Sequence, residues 1–584
     1  MRFPSFTSAR KVFFVLSFAA ILAACDAGSG GGGGGSSSSS SSSSSQSSSG
    51  TTTATKSKTA TFDASNPSIE IDSSIKTLTI NGLSGQAGKA VYLAKVNNTS
   101  SDISSSNVRY VTSYTGITAP SYLSLDTSPS RVAQSLSEND SSGCLLLGVD
   151  ENATYDSSAR SVSADATNYA VGDTKSITNP INTSSTMTIK LLKKTDHAYI
   201  WGSTSDGYTE SNFTAADTFA SKFEDIYLLD RTAFGKESDL MFNSSSATNP
   251  VSMSSISDTG TMINIVFFKM DDTYNGAFST NDYYNNSTSN KGKYIYINSK
   301  AAMERQSQII LTIAHEFVHM IQANYKIINP VANGKSALSA PTAYGEMLAE
   351  LAKDLVSNYF EIGDTDNANL RFKTFNLLYC TVGMTGIDSA NYYYSTNFAF
   401  GAWLCRHYGG AKLAQTIIQN DSTGDDSIVS AVNSLNGTSY TMNQLIAQFV
   451  QAITMPNSSY TLKKSVTSTI SCTGLSSGTS YNYPQSAIDI FDISSVYGSE
   501  ASSLTGTKKA SLYGPLLFQA NTQLSSSLYS PYSGLKSSHG VTLHKIGTVT
   551  SGASSATITF SDSGSSNLTM YVMVGDDRNI YTTK

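Results

Sequence analysis

Ile313-Ala-His315-Glu316-Phe317-Val318-His319-Met320 is the stretch on which the reading of this chain turns. Ile310, Ile313, Phe317 and Ile321 recur at helical spacing and define one apolar face. Thr312, His315, Glu316, His319 and Gln322 fall on the other side. Side chains four apart lie one turn apart on the same face of a helix. Both imidazoles can therefore meet one metal ion. Glu316 is rotated by one residue, close enough to hold a water on that ion without displacing a ligand. The plainer reading is an amphipathic helix with two satisfied histidines. The chain has only 6 His, and a chance His-Glu-x-x-His is expected on the order of a few times per thousand such chains. The metal reading therefore leads.

A catalytic zinc takes three protein ligands and keeps one open position. After Asn324 a loop with Pro330, Asn333-Gly334 and Pro341 ends the helix. The next helical run is Tyr344-Gly345-Glu346-Met347-Leu348-Ala349-Glu350-Leu351-Ala352-Lys353-Asp354. Glu346, Glu350 and Asp354 stack at intervals of one turn. Alone they would read as a solvated acidic face. One loop after His-Glu-x-x-His, Glu346 reads as the third ligand.

These residues resemble the gluzincin class of zinc peptidases, and most closely the hyicolysin-type metallopeptidases. Tyr394-Ser-Thr-Asn-Phe-Ala-Phe-Gly-Ala-Trp-Leu-Cys-Arg-His-Tyr-Gly409 also resembles that family's Tyr-led helix. The resemblance covers about 190–455. It implies a thermolysin-like α+β catalytic domain and one catalytic zinc held by His315, His319 and Glu346, with Glu316 as the base. It also implies an acidic residue, Glu350 or Asp354, behind a ligand imidazole. Gly345 stands where such sequences often have Asn, and Lys353 where they often have an acid. Tyr394, beside Tyr392 and Tyr393, is the candidate donor to the oxyanion, and His407 is the runner-up.

The rest of the chain reads as an exported protein. Of its 584 residues, 14% are charged, against about 25% in ordinary soluble proteins. The formal charge of -6 argues against a nucleic-acid partner. The 32 Tyr and 24 Phe argue against a mostly disordered chain. Arg2, Arg10 and Lys11 precede the apolar run Val12–Ala23, which suits a signal-peptide core and is too short to anchor as a spanning helix. Leu22-Ala23-Ala24-Cys25 resembles the bacterial lipoprotein box, with Cys25 as the lipidated residue. The implied place is the envelope of a bacterium, at the outer membrane or cell surface, with the membrane as partner through the lipid. Gly28–Gly50 is almost entirely Gly and Ser and reads as a flexible tether.

Alternating runs at Ser68–Asp72, Lys76–Asn81 and Lys89–Lys95 predict an all-β segment, and Ser/Asn-rich loops follow up to about 185. Strands are predicted at Met187–Leu192, Ala198–Trp201, Met262–Phe268 and Lys293–Asn298, and a helix at Ala215–Leu229. Alternation returns after Pro456, at Ala556–Phe560 and Leu568–Val574. The expected organisation is multidomain. A signal peptide spans 1–24 and the lipidated linker 25–58. A sandwich-like N-terminal all-β domain spans 59–186, the catalytic α+β domain 187–457 and a C-terminal β domain 458–584.

Weaker signals complete the reading. Cys144, Cys380, Cys405 and Cys472 remain after Cys25, with Cys380–Cys405 the first pair to test. Asp271-Asp272 with Asp282, and Asp421 with Asp425-Asp426, are loop carboxylates that can bind Ca2+, though without EF-hand spacing. His539 and His544 read as surface residues. The function expected is zinc-dependent endopeptidase action on protein or peptide substrates. A rival of another class is a non-catalytic surface binding or adhesion lipoprotein, which the intact Glu316 disfavours. An aminopeptidase is disfavoured because no Gly-x-Met-Glu-Asn element is present.

Overall fold

The computed structural model describes residues 56–100, 108–120, 143–147, 168–208, 212–243, 249–362, 368–378, 383–386, 393–492, 517–520, 535, 537–561 and 567–578. The leader, Cys25, the tether, Cys380 and Tyr392 lie outside these residues. The molecule is a mixed α/β chain with several sheets and a set of buried helices.

A seven-stranded sheet supports the site. In spatial order its strands are Gly143–Leu147, Tyr274–Ser279, Lys293–Asn298, Ile263–Phe268, Ala198–Ser203, Thr186–Lys194 and Thr174–Thr178. The three central strands run parallel, and Tyr274–Ser279 runs antiparallel to Lys293–Asn298. Side-chain alternation splits the central strands between two cores. Ile263, Ile265, Phe267, Ile295 and Ile297 face the helices. Val266, Phe268, Tyr294 and Tyr296 face a second cluster with Trp201. Both faces being covered explains why these strands read as nearly unbroken apolar runs.

Three helices carry the site, and the first of them packs on the sheet through Tyr274–Ser279 and Lys293–Asn298. The metal helix is Gln306–Ala323, the acidic helix Thr342–Val356 and the aromatic helix Tyr393–Tyr408. The metal helix packs on the acidic helix, which packs on the aromatic helix. From Ile309 to Ala323 the metal helix is buried all round, so its polar side faces protein and not solvent.

The predicted strands and the long helix form, the helix as Ala216–Ala233. The flanking β segments differ from expectation. Strands from both ends of the chain share two sheets. One has the order Lys56–Thr61, Ile75–Asn81, Ser555–Phe560 and Val111–Thr115. The other contains Val541–Val549, Ala90–Asn97, Leu568–Gly575 and Ser68–Ile71 as neighbours. Leu78, Ile80, Ile558 and Phe560 of the first sheet meet Val91, Leu93, Val572 and Val574 of the second in one sandwich core. Each half alone would leave unpaired strand edges, and pairing across the chain ends satisfies them.

Two further boundaries move. Gly143–Leu147 and Thr174–Thr178 belong to the seven-stranded sheet rather than to the N-terminal β segment. Residues following Pro456 wrap the helical core. Trp403 donates its indole N–H to the Tyr460 carbonyl at 2.8 Å, and Tyr483 donates its hydroxyl to the Leu229 carbonyl at 2.6 Å. No helix among the described residues is long and apolar enough to cross a membrane.

Candidate metal centre

The metal helix brings His315 and His319 onto one face, with Nε2 of each 3.1 Å from the other. The acidic helix presents Glu346, whose Oε2 lies 3.2 Å from His315 Nε2 and 3.3 Å from His319 Nε2. All three residues are buried. Burial pushes the Glu346 carboxyl up, but the two imidazoles outweigh it and hold it down to about 2. Two ring nitrogens and a carboxylate oxygen converging in a dry site form a donor set suited to a divalent cation. Among the described residues no other group of three or more His, Cys, Asp and Glu is arranged to hold a metal ion.

The two helices meet closely because Gly345 carries no side chain. A Cβ there would sit 3.1 Å from Gln322 Oε1. Gln322 Nε2 instead donates to the Gly345 carbonyl at 2.8 Å, one residue before Glu346. Gly345 thus has a packing role.

Behind His315 stands Glu350, with Oε1 3.3 Å from Nδ1. Arg371, from the helix Ala368–Leu378, grips Glu350 through Nε to Oε2 at 3.0 Å and Nη2 to Oε1 at 2.9 Å. Lys353 adds a hydrogen bond to Oε1 at 2.7 Å. Burial pushes the Glu350 carboxyl up, yet Arg371 and Lys353, with His315, hold it well below the usual carboxylate range. A carboxylate held at Nδ1 favours the tautomer whose Nε2 lone pair faces His319 and Glu346. Of the two acidic residues expected here, Glu350 takes this place. Asp354 is one turn away and binds Arg406 and Gln485.

Glu316 is fully buried between the metal helix and Tyr274–Ser279. A Cβ added to Gly276 would lie 2.8 Å from Glu316 Oε1. Phe278, two residues on, stacks on His319 with ring centroids 6.4 Å apart. An isolated glycine in a strand marks close approach by another group, but 274–279 does not read as a strand in the sequence, so Gly276 was not found there. Arg371 gave no signal, since its role depends on how a third helix packs.

Tyr394 is buried beside the centre, its ring 6.3 Å from that of His315. Arg371 lies over the Tyr394 ring at 5.1 Å, and Tyr393 stacks on it at 4.5 Å. His407 is thirteen residues further along the same helix, about 20 Å away at 1.5 Å per residue. Its Nε2 lies 2.9 Å from the Thr461 carbonyl and its ring packs against Trp403. It is a tether for the segment after Pro456, not a donor to the centre.

The remaining expectations resolve as follows. Asp272 pairs with Lys300, Asp421 with Lys335 and Asp425 with His539. Asp271 caps the Thr273 turn, and Asp282 is buried against Tyr296 and the Asn290 amide. These carboxylates serve ion pairs and turns, and they form no Ca2+ cluster. His539 and His544 are buried, not on the surface, because the strand carrying His544 is interior to its sheet. Cys405 and Cys472 are buried free thiols. A scan against protein-family models finds no match, and a search of curated proteins finds none.

Proposed function

We propose that this chain is a zinc-dependent endopeptidase of the gluzincin kind, held at a bacterial envelope through lipid on Cys25. The observation that carries the reading is the convergence of His315, His319 and Glu346 with Glu316 one residue out of the ligand row. The donor set, two imidazoles and one carboxylate, is that of a catalytic zinc with an open position. A zinc held by His315, His319 and Glu346 would supply Lewis acidity to a bound water and to the scissile carbonyl. Glu316 takes the proton of the attacking water and delivers it to the leaving amine. Glu316 lies buried beside Gly276. Glu350 holds His315 through Nδ1, and Arg371 and Lys353 hold Glu350. Tyr394, whose ring lies 6.3 Å from that of His315, is the candidate donor to the developing oxyanion.

Metal analysis tests the centre and a base variant tests the chemistry. The purified chain should carry about one zinc, lost in Glu346→Ala. Glu316→Gln should retain the metal and lose nearly all chelator-sensitive cleavage of casein. A pure Glu316→Gln protein that cleaves casein at the parent rate rules the reading out. Metal retained with no cleavage by the parent chain would favour the non-catalytic binding lipoprotein.

A further inference from the structure

Tyr274–Ser279 is the strand that flanks both Glu316 and His319, through Gly276 and Phe278. An extended polypeptide binds a strand edge, where main-chain hydrogen bonds give affinity. One edge of Tyr274–Ser279 pairs with Lys293–Asn298. The other is taken by the chain's own Gly143–Leu147, the last strand of the sheet on this side among the described residues. Cys144 is in register with Gly276 and Leu146 with Phe278. The same short strand also touches the metal helix. It therefore lies along the line a polypeptide would follow past Glu316.

This strand is a poor permanent edge. It is five residues long, pairs in parallel and shifts register between Tyr274 and Gly276. Parallel pairing is less stable per residue than antiparallel pairing. Among the described residues it is also far in sequence from the strand it joins, Tyr274–Ser279.

We propose that Gly143–Leu147 is an intramolecular blocking strand, which occupies the polypeptide-binding edge of the metal cleft and must leave before a substrate can bind. The inference rests on the peptidase reading for the nature of the substrate. A site that is competent only a tenth of the time binds about tenfold more weakly. Release of the strand should recover at least that factor.

The probe is a zinc-directed peptide hydroxamate, tested on the full-length, zinc-loaded chain. Hydrogen exchange in the parent protein under saturating hydroxamate should rise about tenfold at 143–147 while 274–279 stays protected. Protection retained at 143–147 with the probe bound overturns the proposal. The paired variant Leu145→Pro/Leu146→Pro removes strand N–H donors. It should bind the hydroxamate and turn over a quenched peptide at least about tenfold better, with zinc content unchanged. Unchanged affinity and turnover with zinc retained overturn it, as does a hydroxamate that binds neither form. Tighter binding with no turnover supports the blocking strand and counts against the peptidase reading alone. Should the variant not fold, the exchange measurement on the parent chain decides.

Discussion

Gly276 stands where any side chain would strike Glu316: a Cβ there would lie 2.8 Å from Oε1. Space for the Glu316 carboxylate is thus set by a strand residue distant in sequence. Gly276→Ala must displace either the strand or the carboxylate. A misplacement of about 1 Å in a reacting group can lower rate by about 100-fold. The variant is expected to keep its metal and lose between about 10- and 100-fold in kcat on a peptide substrate. Equal kcat for parent and variant would show that Glu316 is not held by this contact.

The second relationship is between Glu350 and His315. Glu350 is gripped by Arg371 and Lys353 and contacts Nδ1 of the ligand imidazole. Removing such a support typically lowers metal affinity by about 10- to 100-fold. Glu350→Gln should show that loss in competition with a chelator, and Arg371→Met a smaller one in the same direction. Asp354→Asn, which lies on the Arg406 side, should leave metal affinity near the parent value. An equal loss in both acidic variants would place the effect in helix stability and not in imidazole orientation.

Much of the centre was legible because its signals are local. His315, Glu316 and His319 lie within one helical turn or so, and Glu346 sits one loop on, so spacing alone puts them within reach. What spacing cannot carry is contact between distant segments. Arg371 reaches Glu350 from a separate helix, and Gly276 meets Glu316 from a strand. The shared sandwich was invisible for the same reason. Ser555–Phe560 and Ile75–Asn81 each read as strands, but nothing in alternation says that they pair with one another. His407 misled because a histidine near an aromatic run resembles a functional group, while about 20 Å of helix separates it from Tyr394.

Arg406 and Asp354 form a buried bidentate pair, with Nη1 to Oδ2 at 2.9 Å and Nη2 to Oδ1 at 3.2 Å. Arg406 Nε also donates to the Ser486 carbonyl at 3.0 Å. The pair joins the acidic helix, the aromatic helix and the segment after Pro456. Truncating one partner leaves an uncompensated buried charge, which costs about 3–5 kcal/mol. Arg406→Met should lower unfolding free energy by that order in denaturant titration. Arg406→Met/Asp354→Leu should recover most of it. Failure of the double variant to recover stability would mean that the Ser486 contact dominates.

Lys95 sits at 0% exposure in the strand Ala90–Asn97. Its neighbours Val91 and Leu93 point into the sandwich core, and alternation puts Lys95 on that same side. Among the described residues no hydrogen-bond partner reaches its Nζ. Burial pulls its ammonium down to about 7 from the ordinary 10.5. Between those values the unfolded chain holds a proton that the folded chain has released. Stability therefore rises with pH across this window and is lower, and level, below about 7. The slope is roughly 1.4 kcal/mol per pH unit for one proton. Lys95→Met removes the titrating group and keeps an unbranched side chain. It should exceed the parent in stability at pH 6 and lose that advantage progressively from pH 7 to pH 10, as read by denaturant midpoints. A gap between the two proteins that stays constant from pH 6 to pH 10 would show that Lys95 does not titrate inside the sandwich.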